Sequence, residues 1–350
     1  MPSTTEITEA VRSSSGIAHR TWGRYELGEP DPGPGGNERV EAIIGFLDTV
    51  REACDLPAET NYEELQYVLI QLADDLIGEY ENPALEPVQA KLRAATVAVK
   101  LMIGEWDYER LVHESCRYVQ DAVSALIRAR DHETPIAPLA VQAAQAVVGD
   151  GTTDIVTLNH DTVIERALAE AGLEFADGFI HSSTSDWSWD ARAFEATGVR
   201  LLKLHGSVTW RREIHGEQRL LRLDGSQSRT PSEVRLDPQF ELLAGAHNKV
   251  LQYSRGHYGD LQCVFRASLG WADRLVVAGY GFRDKAINGM LIEWMRTRAH
   301  HIAIVHPNLG RLREQARPAV RRAWGEWENS RRIRLVAKPA EQATWEESRA

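Results

Sequence analysis

The strongest constraint on the fold is a change of pattern at Gly151. From this residue onwards, short apolar runs alternate with helical segments, and the runs are apolar throughout rather than at every second position. Continuous apolar strands separated by helices are typical of a parallel sheet that is covered on both faces. The sequence therefore predicts an α/β core over residues 148–340, with a mostly parallel sheet flanked by helices.

The preceding residues have a helical pattern. Between residues 37 and 147, apolar residues recur every three or four positions in four or five consecutive segments, which predicts a helical subdomain or insertion. Asn61 is the expected N-cap of one helix, because Glu63 and Glu64 follow in its first turn. Residues 1–36 contain little periodicity and end in the breaker run GEPDPGPGG, so we expect an irregular segment there.

Composition and charge exclude several classes of protein. The three cysteines form no CxxC pair, which argues against a disulfide framework or a four-thiolate zinc site and indicates a reducing compartment. No apolar run is long enough to cross a membrane, and the polar N-terminus lacks the features of a secretory signal. We therefore expect a cytoplasmic protein. A net charge of −11 disfavours direct binding of nucleic acid.

Polar or glycine-rich residues follow four of the predicted strands. These ends read Asn159-His160-Asp161, His205-Gly206-Ser207, Gly279-Tyr280-Gly281 and His306-Pro307-Asn308. Ligands of open parallel sheets bind beyond the carboxyl ends of the strands, so these residues are the candidates for a site. The scattered histidines lack the spacing of metal ligands, and we expect no metal site.

Five segments at and around these ends resemble the sirtuin-like NAD-consuming domains of bacterial antiphage defence. They are NYEEL (61–65), TLNHDTVIERAL (157–168), LLKLHGSVTW (201–210), HNKVLQY (247–253) and ADRLVVAGYGFRDKAIN (272–288). Each motif is weak alone, but their order and their places at strand ends make a specific match between about residues 60 and 310. The resemblance implies a Rossmann-like fold and an NAD glycohydrolase that acts as an antiphage effector.

The resemblance also implies catalytic residues, namely Asn159, Asp161 and His205. Cleavage of an N-glycosidic bond builds positive charge on the ribose. The neutral amide of Asn159 suits a ribose hydroxyl or the attacking water, and neutral His205 suits acceptance of a proton. Asp161 would hold the nicotinamide carboxamide or orient a partner.

NAD is accordingly expected as the substrate, with no zinc. The residues expected to bind it are Gly206, Ser207, Gly279, Tyr280, Gly281 and Asp284. The glycines would let the backbone approach sugar and phosphate groups closely.

Several of these residues have a structural alternative. Asn159 can be a turn former, and Asp161 and Asp284 can be helix caps. Lys203 lies two residues before His205 on the same face of its strand, and a lysine snorkelling from the sheet is the favoured interpretation over a cofactor contact.

The sequence departs from the family at the first strand. Family members open with an apolar strand and a glycine-rich loop that accepts the pyrophosphate, whereas only Ser15-Gly16-Ile17 resembles part of that region here. Two explanations are open. The coding start lies further upstream, which the retained Asn159, Asp161 and His205 favour, or the domain is degenerate and binds NAD weakly or not at all.

Two other functions compete with the NAD glycohydrolase. One is a scaffold or sensor that binds NAD or ADP-ribose and works with a partner ATPase or nuclease. The other is a protein deacylase, which is disfavoured because three cysteines cannot build the four-cysteine zinc module of true sirtuins. We also expect a homo-oligomer, since the helical region offers apolar faces for subunit contacts.

Overall fold

The computed structural model describes most of the chain in two units. The described residues are 3–14, 16–19, 24–29, 36–78, 82–103, 106–131, 137–146, 151–181, 187–195, 198–213, 219–223, 236–243, 253–254 and 256–349. The first unit, called the helical unit, comprises Met1–Glu133 and Ser207–Asn248. The second, called the sheet unit, comprises Thr134–Gly206 and Lys249–Ala350.

The elements are numbered in chain order. The helices are α1 (Thr4–Ser13), α2 (Gly36–Ala53), α3 (Tyr62–Leu76), α4 (Glu86–Ile103), α5 (Tyr108–Arg130), α6 (Pro138–Gln145), α7 (Val163–Glu170), α8 (Gly256–Trp271), α9 (Lys285–Trp294), α10 (Leu309–Gln315), α11 (Pro318–Asn329) and α12 (Trp345–Ser348). The strands are β1 (Ile17–His19), β2 (Tyr25–Leu27), β3 (Thr152–Thr157), β4 (Phe179–His181), β5 (Trp187–Trp189), β6 (Gly198–Lys203), β7 (Gly206–Glu213), β8 (Leu220–Arg222), β9 (Leu236–Leu242), β10 (Arg274–Ala278), β11 (His301–Val305) and β12 (Ile333–Val336).

Amphipathic helices pack around one core in the helical unit. Helix α3 begins where the sequence predicts, because Asn61 Oδ1 accepts a hydrogen bond from the amide of Glu64 at 3.0 Å. The Glu64 carboxylate accepts in return from the Asn61 amide, which completes a capping box. Tyr118 of α5 is fully buried in this core and meets Tyr25 edge to face, with ring centroids 5.2 Å apart. The helical interpretation of this region is confirmed.

The N-terminal residues are more regular than the sequence predicts. Helix α1 begins with a capping box between Ser3 and Glu6, and it buries Ile7 and Val11 in the core of the helical unit. These two side chains are four residues apart and therefore lie on the same face of a helix. Strands β1 and β2 follow as an antiparallel pair. Residues 30–35, in the predicted breaker run, lie outside the described residues.

The helical unit also includes strands from later in the chain. Strands β8, β7 and β9 are neighbours in that order, and β7 pairs with β8 antiparallel. Val208, Phe240 and Leu242 from these strands belong to the same apolar core as the helices. The division therefore differs from the predicted one, in which residues 37–147 form the helical region and residues 148–340 the sheet region.

Two parallel sheets form the centre of the sheet unit, which confirms the predicted α/β architecture. Strand β3 pairs with β6, and β10, β11 and β12 pair in that order. Arg200 and Asp154 face each other across β3 and β6 and form two hydrogen bonds, of 2.6 and 2.7 Å. This bidentate pair strengthens the register of the two strands.

Strand β10 is less buried than its sequence suggests. Its apolar residues Leu275, Val276 and Val277 are only half-buried, whereas residues 302–305 of the neighbouring β11 are buried. Within the part of the chain that the structure describes, no strand pairs with the second edge of β3 or of β10. Trp271, at the end of α8, is 90% exposed. Among the described residues, every helix is too short or too polar to span a lipid bilayer.

Replacement of Gly178 by alanine is expected to destabilise the sheet unit by about 2–4 kcal/mol. Gly178 has a φ of +88°, and an added Cβ would lie 2.6 Å from Cη2 of Trp189 and 2.9 Å from Cε2 of Phe194. Gly172 is the matched control, because its φ is +68° but a Cβ there would meet no atom of the described residues within 4 Å. Gly172→Ala should cost about 1 kcal/mol. Urea unfolding followed by circular dichroism measures both, and equal losses would contradict the packing of Trp189.

Candidate active site

The parallel pairing of β3 with β6 brings two strand ends to the same edge. Thr157 is the register partner of Lys203, and the Leu204 amide continues the ladder by donating to the Thr157 carbonyl at 3.0 Å. Asn159 lies two residues beyond Thr157, and His205 lies two residues beyond Lys203. Since neighbouring strands are about 4.8 Å apart, both residues belong to one small region of the carboxyl edge.

His205 is held in a polar cluster. The residue is 4% exposed, and its Nε2 lies 2.6 Å from Oη of Tyr253 and 3.3 Å from Oδ2 of Asp284. The imidazole and the phenol are nearly parallel, with an angle of 22° between their planes. His160, which follows β3, has its ring centroid 6.2 Å from that of His205.

Asp284 divides its two carboxylate oxygens between a helix and this cluster. Its Oδ1 accepts from the amides of Ala286 and Ile287 at 2.9 and 3.0 Å, which caps the start of α9 as the sequence predicts. Its Oδ2 accepts from the phenol of Tyr253 at 3.2 Å. The residue is therefore both a helix cap and a neighbour of His205.

Both tyrosines beside Asp284 retain their protons. Burial raises the pKa of Tyr253, and the negative charge of Asp284 raises it further. The pKa of Tyr280 is raised by the same two causes. The Tyr280 hydroxyl donates to Oδ1 of Asn288 at 2.9 Å. This hydrogen bond connects the residues that follow β10 to helix α9.

The other two predicted catalytic residues differ in their surroundings. The side chain of Asn159 is exposed, and its backbone amide donates to Oγ1 of Thr157 at 3.1 Å. Asp161 is buried, and its Oδ1 accepts from the amide of Val163 at 3.1 Å, where α7 begins. This contact is an Asx turn that leads into α7, whose N-cap is the following residue, Thr162.

Lys203 forms a buried ion pair, so the expectation that it snorkels to the solvent is wrong. Its side chain is 1% exposed, and Nζ lies 2.7 Å from Oε1 of Glu165. The same ammonium donates to the backbone carbonyl of Asp161. Burial raises the pKa of Glu165, while the charge of Lys203 opposes that shift. The ion pair connects β6 to α7, and the hydrogen bond to Asp161 connects β6 to the turn between β3 and α7.

The glycines at the edge have backbone conformations that favour glycine. Gly206 has a φ of +81° and Gly279 a φ of +66°. Of the residues that the structure describes, none would lie within 4 Å of a side chain added at Gly279, so the described part of the chain leaves this space open. The Gly279 amide nevertheless donates to the carbonyl of Val305 at 3.4 Å, so this amide is already used within the sheet. Gly281 is exposed.

A comparison with known protein families identifies this fold. The profile of the SIR2-like domain matches residues 153–334, which is just over half of the chain and includes the edge described above. The chain belongs to the SIR2-like family. Members of this family are typically enzymes that use NAD, so an involvement of NAD follows for this SIR2-like chain. A comparison with curated proteins found no match.

Ser207 is the one predicted site residue outside the sheet unit. Its Oγ lies 3.0 Å from Oγ1 of Thr209. Among the residues that the structure describes, no three His, Cys, Asp or Glu side chains are grouped so that they could hold a metal ion.

Two residues beside His205 were given no role of their own from the sequence. Tyr253 ends the segment HNKVLQY, and this segment was the signal that could have identified it. Residues 247–252 of that segment lie outside the described residues, whereas Tyr253 is described and buried. His160 lies between the two candidates Asn159 and Asp161.

Replacement of Lys203 by methionine is expected to cost about 3 kcal/mol at pH 8, because it leaves Glu165 charged and largely buried without its cation. The folded-state pKa of Glu165 is raised, so stability from this group is present at low pH and lost as the pH rises through that pKa. The decrease in the free energy of unfolding caused by Lys203→Met should therefore be smaller at pH 5 than at pH 8. Urea unfolding at both pH values measures this difference.

The control for that experiment is the double variant Lys203→Met with Glu165→Gln. Without the carboxylate, no buried charge remains, so much of the lost stability should return and its dependence on pH should weaken. An equal loss for Lys203→Met at both pH values would contradict a buried ion pair.

Proposed function

We propose that this SIR2-like chain is an NAD glycohydrolase, which converts NAD and water to nicotinamide and ADP-ribose. The observation that carries the proposal is the register of β3 and β6, because it brings Asn159 and His205 to one edge of the sheet. A neutral amide and an imidazole are the groups that this hydrolysis needs, and neither adds a negative charge at the reacting carbon.

The proposed reaction breaks one bond and forms another at the anomeric carbon of the ribose. The electron pair of the bond to nicotinamide leaves with the ring nitrogen, which becomes neutral. A water oxygen bonds to the anomeric carbon, and the proton of that water passes to His205. Asn159 holds a ribose hydroxyl or the attacking water through its amide. The proton on His205 then returns to the solvent.

Backbone groups are proposed to surround the sugar and the pyrophosphate. The open space at Gly279 and the exposed backbone of Gly281 support this assignment, and the left-handed conformation of Gly206 supports a close approach beside His205. Asp161 and Tyr280 make structural contacts, so in the proposal they shape the edge without contacting the reacting atoms. Ser207 belongs to the helical unit and has no role in the proposal.

A scaffold or sensor that binds NAD or ADP-ribose is the second candidate function. Three observations favour it, namely the burial of His205, the turn contact of Asp161 and the engaged amide of Gly279. In this alternative the carboxyl edge of the sheet binds NAD or ADP-ribose without cleaving it, and a partner ATPase or nuclease responds to the bound state.

The resemblance to antiphage domains extends the proposal to the cell. There the chain would be a cytoplasmic homo-oligomer that depletes NAD during infection. The motifs given above support this extension, and size-exclusion chromatography with light scattering tests the oligomer.

Removal of either proposed catalytic group should abolish most of the activity. We expect Asn159→Ala and His205→Ala to lower the rate of nicotinamide release by about 100-fold or more. His205→Ala removes positioned proton transfer, which contributes about 10²–10⁴ to such rates, and Asn159→Ala removes the group that positions a ribose hydroxyl or the water. Chromatographic measurement of nicotinamide from purified protein and NAD tests this expectation. His301→Ala and Asn329→Ala are the matched controls. His301 is the first residue of β11 and therefore lies at the amino ends of the strands, away from the carboxyl ends, and Asn329 is the last residue of α11.

The outcomes separate the two candidates. Equal release by the wild type and both alanine variants would reject the site assignment. Binding of NAD by calorimetry without any release of nicotinamide would reject the glycohydrolase and support the scaffold.

A further inference from the structure

We infer that Tyr253 and Asp284 are positioning residues that hold the His205 ring through Nε2 and make Nδ1 its proton-accepting nitrogen. The inference rests on the proposed function and deepens it by assigning a role to each ring nitrogen. It is carried by the three contacts among these side chains and by the proton count that they require.

The phenol of Tyr253 determines which ring nitrogen of His205 carries the proton. Tyr253 has one hydroxyl proton, which it donates to Oδ2 of Asp284 at 3.2 Å. The 2.6 Å contact between Tyr253 Oη and His205 Nε2 therefore needs its proton from the imidazole. A bare Nε2 lone pair would also face the carboxylate oxygen at 3.3 Å, which is repulsive. The neutral ring thus carries its proton on Nε2, and its basic lone pair is on Nδ1.

The carboxylate that completes this cluster has a fixed orientation. Its Oδ1 is held by the amides of Ala286 and Ile287, so the side chain of Asp284 cannot rotate without uncapping α9. The positive end of the helix dipole also favours the ionised form of a carboxylate at this position. A rigid anion beside Nε2 therefore fixes both the plane and the tautomer of His205.

The charge of Asp284 also raises the basicity of His205. When His205 accepts a proton on Nδ1, the resulting imidazolium lies 3.3 Å from a carboxylate oxygen. Among the described residues, the titratable side chains around the cluster include His160, whose ring is 6.2 Å away, and Tyr280, which packs beside Asp284. Tyr258 acts electrostatically on Tyr253, and Arg317 acts on Tyr280. Tyr253 and Tyr280 keep their protons, so Asp284 is the anion among these groups that responds to the charge of His205.

The test uses two conservative variants and two matched controls. Asp284→Asn keeps an oxygen that can cap α9 and removes the charge, because Asn and Asp are equally good N-caps. Tyr253→Phe keeps the ring and removes the hydroxyl. Asp107→Asn is the control at another aspartate cap, whose Oδ1 accepts from the Arg110 amide at 2.9 Å. Tyr118→Phe is the control for a buried hydroxyl, which donates to the Val11 carbonyl at 2.8 Å.

Kinetics give the first readout. We expect both site variants to lower kcat for nicotinamide release by about 10–100-fold, the usual effect of losing a group that orients a histidine, with little change in KM. In Asp284→Asn the ascending limb of the pH profile should move to lower pH by about one unit, because an imidazole without the anion binds its proton less tightly. The two controls should keep the rate and pH profile of the wild type.

Nitrogen NMR of histidine-labelled protein gives a readout that does not need activity. The His205 signals, assigned by their loss in His205→Ala, should show a protonated Nε2 and an unprotonated Nδ1 in the neutral ring. The pKa of His205 should fall in Asp284→Asn. A neutral ring protonated on Nδ1, or an unchanged pKa in Asp284→Asn, overturns the inference. The protein could give the expected spectra and yet release no nicotinamide from NAD. That result would support the positioning roles of Tyr253 and Asp284 and reject the proposed glycohydrolase.

Discussion

The in-register parallel pairing of β3 with β6 is the constraint on which the candidate site depends. The register runs from Thr152 opposite Gly198 to Thr157 opposite Lys203, and the bidentate pair of Asp154 and Arg200 lies within it. A slip of one residue would turn every side chain of a strand to the other face of the sheet. The backbone ladder therefore determines where the residues after each strand emerge.

Burial of polar groups at this edge imposes a second requirement. A desolvated charge is costly unless it is paired and hydrogen-bonded, and the edge meets this demand with side chains from distant parts of the sheet unit. Lys203 is paired with Glu165, and Nε2 of His205 is held between Tyr253 and Asp284. The same contacts that satisfy the polar groups also fix their orientation, which is what a catalytic imidazole needs.

The features that the sequence predicted are those with local signals. Apolar runs alternating with helices indicated the α/β core, and Asn61 and Asp284 could be recognised as caps because an N-cap acts on amides two or three residues away. The partner of Lys203 could not be predicted in this way, since Glu165 is 38 residues distant and only the fold brings the two together.

Tyr253 and the helical unit show the same limit. Tyr253 is 48 residues from His205 and 31 from Asp284, so its role emerges only in three dimensions. Strands β7 and β9 join the core of the helical unit through long-range contacts that no local periodicity records. In α1, only ten residues long, Ile7 and Val11 gave too short an apolar pattern to distinguish a helix from an irregular segment.

The electrostatics of the cluster change in a direction that suits the proposed reaction. Two amides of α9 and the phenol of Tyr253 stabilise the carboxylate of Asp284 but leave its negative charge in place. In the proposed hydrolysis, positive charge develops on the ribose and then on His205 as it accepts the proton. The attraction between His205 and Asp284 therefore increases along the reaction, and an interaction that is stronger in the transition state than in the ground state accelerates the chemical step.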